Sequence, residues 1–304
     1  MTRIRHHAEK GFSLLELMVS TVLMMVVAGG AFTALNYYQK TYQRTEISAD
    51  MHDNLRSAID LMTQEVGQAG ALPFPTGIPT LAAPVASSPL AQTVALLNAA
   101  NAPIYVNESL LVDAGANQET VVVTQAGSGT FNAVFARNHI LGAQVNAIGV
   151  FPDGIRTTAN SNTLKLYGDI KGDGTLVYVE YTCNPAVDGT GTLTRSVTTV
   201  DTTSGVALAP AAPTVLVDGL TNNPGGAVCF QVPAAPLVVA GFTFVNQVGV
   251  TLTVQTAVRD ALTENFLTMT KSAVDLEPRN IQMGLNMANA GVVERLQAKP
   301  LQIP

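Results

Sequence analysis

The hydrophobic and polar positions of the chain predict one long N-terminal helix made of two halves. The first half is an apolar run from Phe12 to Leu35. At 1.5 Å per residue this run makes a helix of about 36 Å, enough to cross a hydrocarbon core of about 30 Å. The helical period then continues as one apolar stripe through Ile47, Met51, Leu55, Ile59, Met62 and Val66. Charged residues between those positions predict a solvated opposite face, and the helix is expected to end near Gly67 or Gly70.

Beyond this helix of about fifty-five residues, the pattern predicts a connection and then a β-rich body. Five prolines between Leu72 and Pro89 predict an extended connection that marks a boundary. From about Thr120, short runs rich in β-formers predict strands at Val121 to Thr124, Leu164 to Ile170, Leu176 to Cys183, Leu193 to Val197, Val248 to Val258 and Phe266 to Leu276. Apolar and polar residues alternate in the Val248 run, which predicts an antiparallel sheet with one solvated face.

Two segments between these runs predict turns that connect consecutive strands. Gly172-Asp173-Gly174-Thr175 and Asp188-Gly189-Thr190-Gly191 lie between consecutive predicted strands and carry turn chemistry. The strands are therefore expected to form a meander packed on the outer half of the helix. We favour the interpretation that the apolar stripe packs on this body. The alternative is that the stripe packs in a coiled coil.

Composition and charge exclude several functional classes. Only 12% of the 304 residues are charged and 47% are hydrophobic, against roughly 25% charged residues in an ordinary soluble domain. Sixteen basic against twenty-two acidic residues give a net charge of −6, with no basic run outside the first ten positions. A nucleic-acid partner is therefore not expected. The four histidines are spread along the sequence, and no phosphate-binding loop is present, so no catalytic site, metal or other cofactor is predicted.

The N-terminal charges predict an orientation in the membrane. Arg3, Arg5 and Lys10 precede the apolar run, which places the N-terminus in the cytoplasm and the chain beyond about Asn36 outside. Glu16 interrupts the run, at a cost of about 2.5 to 3.5 kcal/mol on insertion scales. No basic residue lies between Gly11 and Lys40. The counterion of Glu16 must therefore come from outside the apolar helix.

The residues around Glu16 carry a resemblance to a known family. Lys10-Gly11-Phe12-Ser13-Leu14-Leu15-Glu16-Leu17-Met18-Val19 resembles the class III signal of type IV prepilins and type II secretion pseudopilins. The resemblance implies that a membrane-embedded prepilin peptidase cuts the Gly11–Phe12 bond and methylates the new N-terminal Phe12. It also implies that Glu16 of an incoming subunit pairs with the Phe12 amine of a neighbouring subunit.

The same resemblance implies partners and a location. The expected partners are the prepilin peptidase and methylase, other major and minor pilins, the inner-membrane assembly platform, and membrane lipid before assembly. The chain is then expected to cross the bacterial inner membrane once, with its body in the periplasm, and to pass into a pilus or pseudopilus.

The β-rich body is similar to PilW-type minor pilins and to J-type pseudopilins. The similarity rests on Leu164 to Val197, Val248 to Arg259 and Leu276 to Ile281. It implies an α+β, pilin-like fold in which the outer half of a long N-terminal helix packs on an antiparallel sheet. The expected organisation is a leader at 1–11, a transmembrane and filament-core helix at 12–35, an amphipathic continuation at 36–70 and a periplasmic body at 71–304.

The alternatives come from several classes. Ala28-Gly29-Gly30-Ala31 could mimic the cleavage site of a secretory signal peptide, and an uncleaved membrane anchor would explain the span. Neither alternative accounts for Gly11, Phe12 and Glu16 together. For an assembled subunit, our preferred interpretation is a PilW-like minor pilin. The alternatives are a J-type pseudopilin and a pilin stem that displays an adhesin built from residues 80–160. A membrane-tethered enzyme is the least favoured alternative.

Two residue pairs in the body are candidates for a disulfide and for a cation-binding loop. Cys183 and Cys229, the only cysteines, predict a disulfide in an oxidising compartment, with two separate buried thiols as the alternative. Asp169 and Asp173 resemble an oxygen-rich cation loop. They lack a bidentate Glu at the expected distance, which favours a plain Asp-Gly hairpin.

Overall fold

The computed structural model describes residues 13–73, 77–98, 103–156, 161–202, 206–233 and 236–304. These residues form two compact units. The first unit contains the described chain up to Asp50 together with Val258–Leu267, and the second contains Met51–Ala257 together with Thr268–Pro304. The leader and residue 12 lie outside the described residues.

One long helix runs through both units. Helix α1 spans Leu14–Gln68, 55 residues, which confirms the predicted length. Its C-terminal end is set by Gly70, whose φ of +80° is open to glycine and strained for other residues. A Cβ at this position would lie 2.5 Å from the carbonyl oxygen of Phe151. The N–H of Gly70 donates to the carbonyl of Tyr167 at 2.9 Å, so the chain leaves the helix directly onto the sheet.

In the first unit, residues Val258–Leu267 form a loop closed on itself. The N–H of Asp260 donates to the carbonyl of Asn265 at 2.8 Å, and the N–H of Glu264 donates back to the carbonyl of Asp260 at 2.8 Å. The Asp260 carboxylate also lies 3.7 Å from the guanidinium of Arg44 on α1. This ion pair holds the loop against the middle of the helix.

The second unit contains all the strands that the described residues form. In chain order they are β1 Thr80–Leu81, β2 Ser88–Leu97, β3 Ser109–Val112, β4 Glu119–Val122, β5 Gln125–Gly127, β6 Thr130–Phe135, β7 Val145–Ala147, β8 Thr163–Gly168, β9 Val177–Asn184, β10 Gly191–Thr199, β11 Thr214–Thr221, β12 Phe230–Gln231, β13 Leu237–Val239, β14 Phe242–Phe244, β15 Val248–Gln255 and β16 Thr268–Leu276. A second helix, α2, spans Arg279–Asn289.

Seven strands make the helix-facing sheet, in the order β12-β15-β11-β10-β9-β8 with β16 paired to β15. All its pairings are antiparallel. Strands β8, β9 and β10 form the predicted meander, and β11, which was not predicted, lies between β10 and β15. Within the second unit, Leu55, Met62 and Val66 of α1 share one core with residues of this sheet. The stripe therefore packs on the chain's own body from Met51 onward, as we favoured, whereas Ile47 is exposed.

The strand prediction for Val248 to Val258 is partly wrong. The strand ends at Gln255, and Val258 is 74% exposed. The predicted solvated face is also largely covered, because Thr253 is only 4% exposed. Its hydroxyl donates to the side-chain oxygen of Asn223 at 2.8 Å and contacts the hydroxyl of Thr270 at 2.9 Å. Neighbouring polar side chains therefore make the hydrogen bonds on this face that water would otherwise make.

Strands also begin much earlier than the predicted Thr120. Residues between Thr80 and Ala147 form a four-stranded sheet, β1-β2-β6-β5, and a three-stranded sheet, β4-β3-β7. These two sheets enclose a separate core that includes Leu81, Phe131 and Phe135. We call this part of the body the insertion. The predicted connection between Leu72 and Pro89 is therefore too long, because Pro89 lies inside β2 where the register against β6 is interrupted, a position that tolerates a residue without an N–H.

The fold class is α+β, as predicted: a long N-terminal apolar helix precedes antiparallel sheets in a pilin-like architecture. Helix α2 completes the main core with Ile281, Leu285 and Ala288. Strands β13 and β14 pair with each other as a separate two-stranded hairpin.

Candidate membrane and assembly site

The first turn of α1 places the predicted assembly acid at the start of the helix. The carbonyl of Ser13 accepts the N–H of Glu16 at 3.0 Å and that of Leu17 at 3.1 Å. Glu16 is exposed, and within the described part of the chain no basic side chain pairs with it. The predicted cleavage and methylation residues, Gly11 and Phe12, lie outside the described residues.

The helix beyond Glu16 exposes a continuous apolar surface. Every residue from Leu14 to Leu35 is exposed, including Met24 at 74% and Val27 at 71%. Among the described segments, α1 is the one helix that is long and apolar enough to cross a membrane. Contiguous apolar surface of this extent is typical of a segment that lies in lipid or between packed helices.

The polar hydroxyls in this apolar segment are satisfied by the helix itself. Ser20 donates to the carbonyl of Leu17 at 3.0 Å, Thr21 to that of Met18 at 2.9 Å, and Thr33 to that of Gly29 at 2.9 Å. In hydrocarbon an unsatisfied hydroxyl costs several kcal/mol, so these bonds remove that cost. Glu16 is left as the one charged side chain of the segment between Ser13 and Leu35.

Three tyrosines follow the apolar segment directly. Tyr37, Tyr38 and Tyr42 are 59%, 71% and 72% exposed. Tyrosine is enriched at the boundary between lipid and water, where its ring is apolar and its hydroxyl is hydrated. Our sequence reasoning missed this band, although the position of the three rings directly after the apolar run is a usable signal.

A buried ion pair fixes the C-terminal part of α1 to the helix-facing sheet. The carboxylate of Glu65, a residue 6% exposed, accepts the Nε–H of Arg195 on β10 at 3.1 Å. A second guanidinium nitrogen of Arg195 and the hydroxyl of Tyr181 on β9 also donate to it. Burial, followed by the charge of Glu65, raises the pKa of the Tyr181 phenol well above its usual range, which keeps it a donor. The sequence gives no signal for this cluster, because Arg195 is 130 positions away from Glu65.

The two cysteines of the body are joined. The structure contains a disulfide between Cys183 and Cys229, with their Cα atoms 6.3 Å apart. Both residues are 1% exposed, and both belong to the core that α1 contacts. The bridge connects the end of β9 to the chain just before β12.

The aspartates of the predicted hairpin accept backbone hydrogen bonds within the turn between β8 and β9. The Asp169 carboxylate accepts the N–H of Asp173 at 3.1 Å and that of Gly174 at 3.0 Å. Asp173 in turn accepts the N–H of Thr175 at 2.9 Å. Within the described residues, no group of three His, Cys, Asp or Glu side chains is arranged to hold a metal ion.

The insertion contains a buried histidine between two acids. A carboxylate oxygen of Asp113 lies 3.1 Å from Nδ1 of His139, and one of Glu119 lies 2.6 Å from Nε2. Hydrogen bonding to His139 is the main cause that lowers the pKa of Asp113. Both ring nitrogens are engaged, so His139 has no nitrogen free to bind a metal. The sequence separation of these three residues concealed the contact.

One described cavity has a volume of about 530 Å³ and is lined by apolar side chains, including Phe242 and Val245, together with Asp153, Arg156 and Lys299. Its carboxylate is already bonded, because Asp153 accepts hydrogen bonds from the hydroxyl of Tyr167 and from Arg156. Asp153 is the one acid among the residues that line this cavity, and both of its carboxylate oxygens accept hydrogen bonds.

Comparison with known proteins identifies one segment. Residues 6–32 match the family model described as the prokaryotic N-terminal methylation motif. No curated protein and no solved structure matches the chain. The match includes the Gly11–Phe12 bond and Glu16, so the chain carries a type IV pilin-like prepilin signal. This signal and the long apolar helix together suit anchoring in an inner membrane, and the signal implies processing by a prepilin peptidase and assembly with pilins.

Proposed function

We propose that this chain is a minor type IV pilin of the PilW-like kind, which takes part in priming or assembling a pilus and is not an enzyme. The observation that supports the proposal most directly is the match at residues 6–32. Glu16, which lies within the matched segment, is in the first turn of an exposed apolar helix. Its partners are the prepilin peptidase and methylase, other major and minor pilins, the assembly platform and membrane lipid. No cofactor is needed for this role.

The segments of the chain have separate roles in this proposal. Residues 1–11 are removed by the peptidase, and residues 12–35 cross the inner membrane and later form part of the filament core. Residues 36–70 connect this core to the periplasmic body at 71–304. Loss of the leader removes Arg3, Arg5, Lys10 and Glu9, so the mature chain has 16 − 3 = 13 basic and 22 − 1 = 21 acidic residues, a net charge of −8.

Glu16 sets the register between subunits. A carboxylate in hydrocarbon needs a counterion, and cleavage at Gly11–Phe12 creates an amine that stays cationic after methylation. The Glu16 carboxylate of one subunit then pairs with the Phe12 amine of its neighbour. Removing one partner from such a pair costs about 3 to 5 kcal/mol, which makes the register specific.

The test is incorporation of a Glu16→Gln variant into filaments, measured by immunoblot of sheared pili. We expect normal leader removal and a loss of incorporation of about tenfold or more, since the neighbouring amine is left unpaired in low dielectric. Glu46→Gln, which removes an exposed acid from the same helix, is the matched control and should incorporate normally. Wild-type incorporation of Glu16→Gln would overturn the proposal.

Two alternatives share the same signal. A J-type pseudopilin of a type II secretion system differs in its phenotype, because a deletion strain would lose protein export and keep its pili. A pilin stem carrying an adhesin is favoured by one observation, the separate core of the insertion. In that case, removal of the insertion would abolish surface binding while filament number stays unchanged.

A further inference from the structure

The cavity bordered by the β13-β14 hairpin has an apolar wall and one charged cluster. Its volume of about 530 Å³ lies within the range of about 300 to 1,000 Å³ that is typical of small-molecule sites. The apolar wall comes from the chain before β8, from the connection between β12 and β13, and from β14 and the chain after it: Ile155, Val232, Pro233, Pro236, Phe242 and Val245. The whole lining belongs to the second compact unit. This wall would remove the apolar part of a ligand from water.

The charged cluster contains two cations and one acid, which are Arg156, Lys299 and Asp153. Nη1 of Arg156 donates to one carboxylate oxygen of Asp153 at 3.2 Å, and its Nε donates to the main-chain oxygen of Pro304 at 3.3 Å. The other oxygen of Asp153 accepts the hydroxyl of Tyr167. Arg156 therefore already has Asp153 as its counterion, and a carboxylate at Pro304 would also bond to Arg156.

Lys299 is the cation of the cluster that has no acidic partner. Its half-buried ammonium donates to the carbonyl of Ile303, which carries no charge. Among the residues that the structure describes, no Asp or Glu forms an ion pair with it. Burial is the main cause that lowers the pKa of Lys299, and the charge of Arg156 lowers it further, which the charge of Asp153 only partly offsets. An ammonium has three N–H donors, so two remain for a ligand.

These features favour a ligand that has one negative charge and an apolar body. A carboxylate would accept charge-assisted hydrogen bonds from Lys299 and would offset the repulsion between Lys299 and Arg156. A phosphate dianion fits less well, because a second charge beside the apolar wall must also be desolvated and only one ammonium lacks an acidic partner. A metal cation is not favoured, since both oxygens of Asp153 are already bonded.

We propose that this cavity binds a small organic acid, whose carboxylate contacts Lys299 and whose apolar or aromatic group lies against Phe242 and Val245. Arg156 adds a second positive charge, and its bond to Asp153 keeps the guanidinium oriented. The site belongs to the body, so binding would not depend on how the N-terminal helix assembles.

The probe is 3-phenylpropionate, which has one carboxylate and one aromatic ring. Its binding to the full-length protein in detergent is measured by titration with saturation-transfer difference NMR, and the signal from detergent alone is subtracted. The compound 3-phenylpropanamide has the same apolar body without the charge, and acetate has the charge without that body. Inorganic phosphate tests whether any anion is sufficient.

We expect the wild-type protein to bind 3-phenylpropionate with a Kd at least about fivefold lower than the Kd for the amide or for acetate, because the charge and the apolar body both contribute. Lys299→Gln should raise the Kd at least about fivefold, whereas Lys299→Arg keeps the charge and should stay within about twofold of the wild type. Lys171→Gln removes an exposed lysine from the turn between β8 and β9, and this matched control should leave the Kd unchanged.

Three results would overturn the organic-acid site. Equal binding of 3-phenylpropionate and its amide would show that the charge is not recognised, and this comparison uses the wild-type chain, so it does not depend on how a variant folds. Phosphate that displaces 3-phenylpropionate with an equal or lower Kd would show a general anion site. An unchanged Kd in Lys299→Gln, at a wild-type urea midpoint, would place the ligand elsewhere on the protein.

Discussion

Glu65 and Glu108 are both buried acids, yet their surroundings give them opposite chemistry. The carboxylate of Glu65 accepts hydrogen bonds from the guanidinium of Arg195 and from the hydroxyl of Tyr181. Glu108 is 2% exposed and receives one backbone N–H, from Tyr105 at 3.2 Å. Burial raises its pKa from about 4.5 to about 8, so at neutral pH its carboxyl is mostly protonated. Each environment predicts a different response to replacement by glutamine.

Replacing Glu65 should weaken the attachment of α1 to the sheet. In Glu65→Gln the Arg195 side chain, 19% exposed, loses its counterion, which should lower the free energy of unfolding by about 3 kcal/mol. Equilibrium urea unfolding in detergent, followed by tyrosine fluorescence, measures the change. Asp60→Asn on the exposed face of the same helix is the control and should change little. A Glu65→Gln loss as small as that of the control would show that the pair is dispensable.

Replacing Glu108 should change the pH dependence of stability. The folded pKa of about 8 lies above the unfolded value of about 4.5, so the folded chain binds the proton more tightly between these values. Its stabilising contribution is present below about pH 4.5 and is lost as pH rises toward 8, with a slope of at most about 1.4 kcal/mol per pH unit. Glu108→Gln should remove this decline, which is measured from unfolding free energies at pH 5 and pH 8. Parallel pH profiles of the two proteins would contradict the assignment.

At the scale of elements, α1 depends on its contact with the helix-facing sheet from Met51 onward. Leu55 and Met62 are fully buried, whereas Thr63 on the next position is exposed. Met62→Ala should lower the unfolding free energy by about 2 to 5 kcal/mol through lost burial and a residual cavity. Thr63→Ala, with its side chain on the solvent face, should leave stability nearly unchanged. Similar urea midpoints for the two variants would mean that the stripe is not the packing face.

The elements also show what the sequence can and cannot predict. The length of α1 and the strands β8, β9, β10 and β16 follow from strong local periodicity, and the structure confirms them with small shifts at the ends. Strand β15 was predicted at the right place but ends three residues before the predicted Val258. The strands of the insertion were mostly missed, because they are short, contain alanine and polar residues, and include Pro89. Their stability comes from long-range pairing around a common core, which a local pattern does not reveal.

At the scale of the whole molecule, the body depends on a covalent connection across its main core. The Cys183–Cys229 bridge closes a loop of 46 positions. In the chain-entropy model, such a bridge stabilises the folded state by about 4 kcal/mol. We expect the reduced protein to unfold at a clearly lower urea concentration than the oxidised protein, and non-reducing peptide mapping should recover the two cysteines in one linked fragment. Identical midpoints for the oxidised and reduced protein would contradict this contribution.

The long-range contacts explain why the site was only partly predictable. Gly11, Phe12 and Glu16 form a local motif, and the family match falls on it. Glu65 with Arg195, and His139 with Asp113 and Glu119, meet only through the fold. The residues of this local motif were therefore identifiable from the sequence, whereas those that hold the helix to the body were not.

Mass spectrometry of the N-terminus of the protein purified from a host with an active prepilin peptidase tests the central claim most directly. The account predicts a mature chain that begins at Phe12 with a methylated amine, because cleavage of the Gly11–Phe12 bond supplies the cation that Glu16 requires. A chain that still begins at Met1, or one that begins near Ala31, would contradict it.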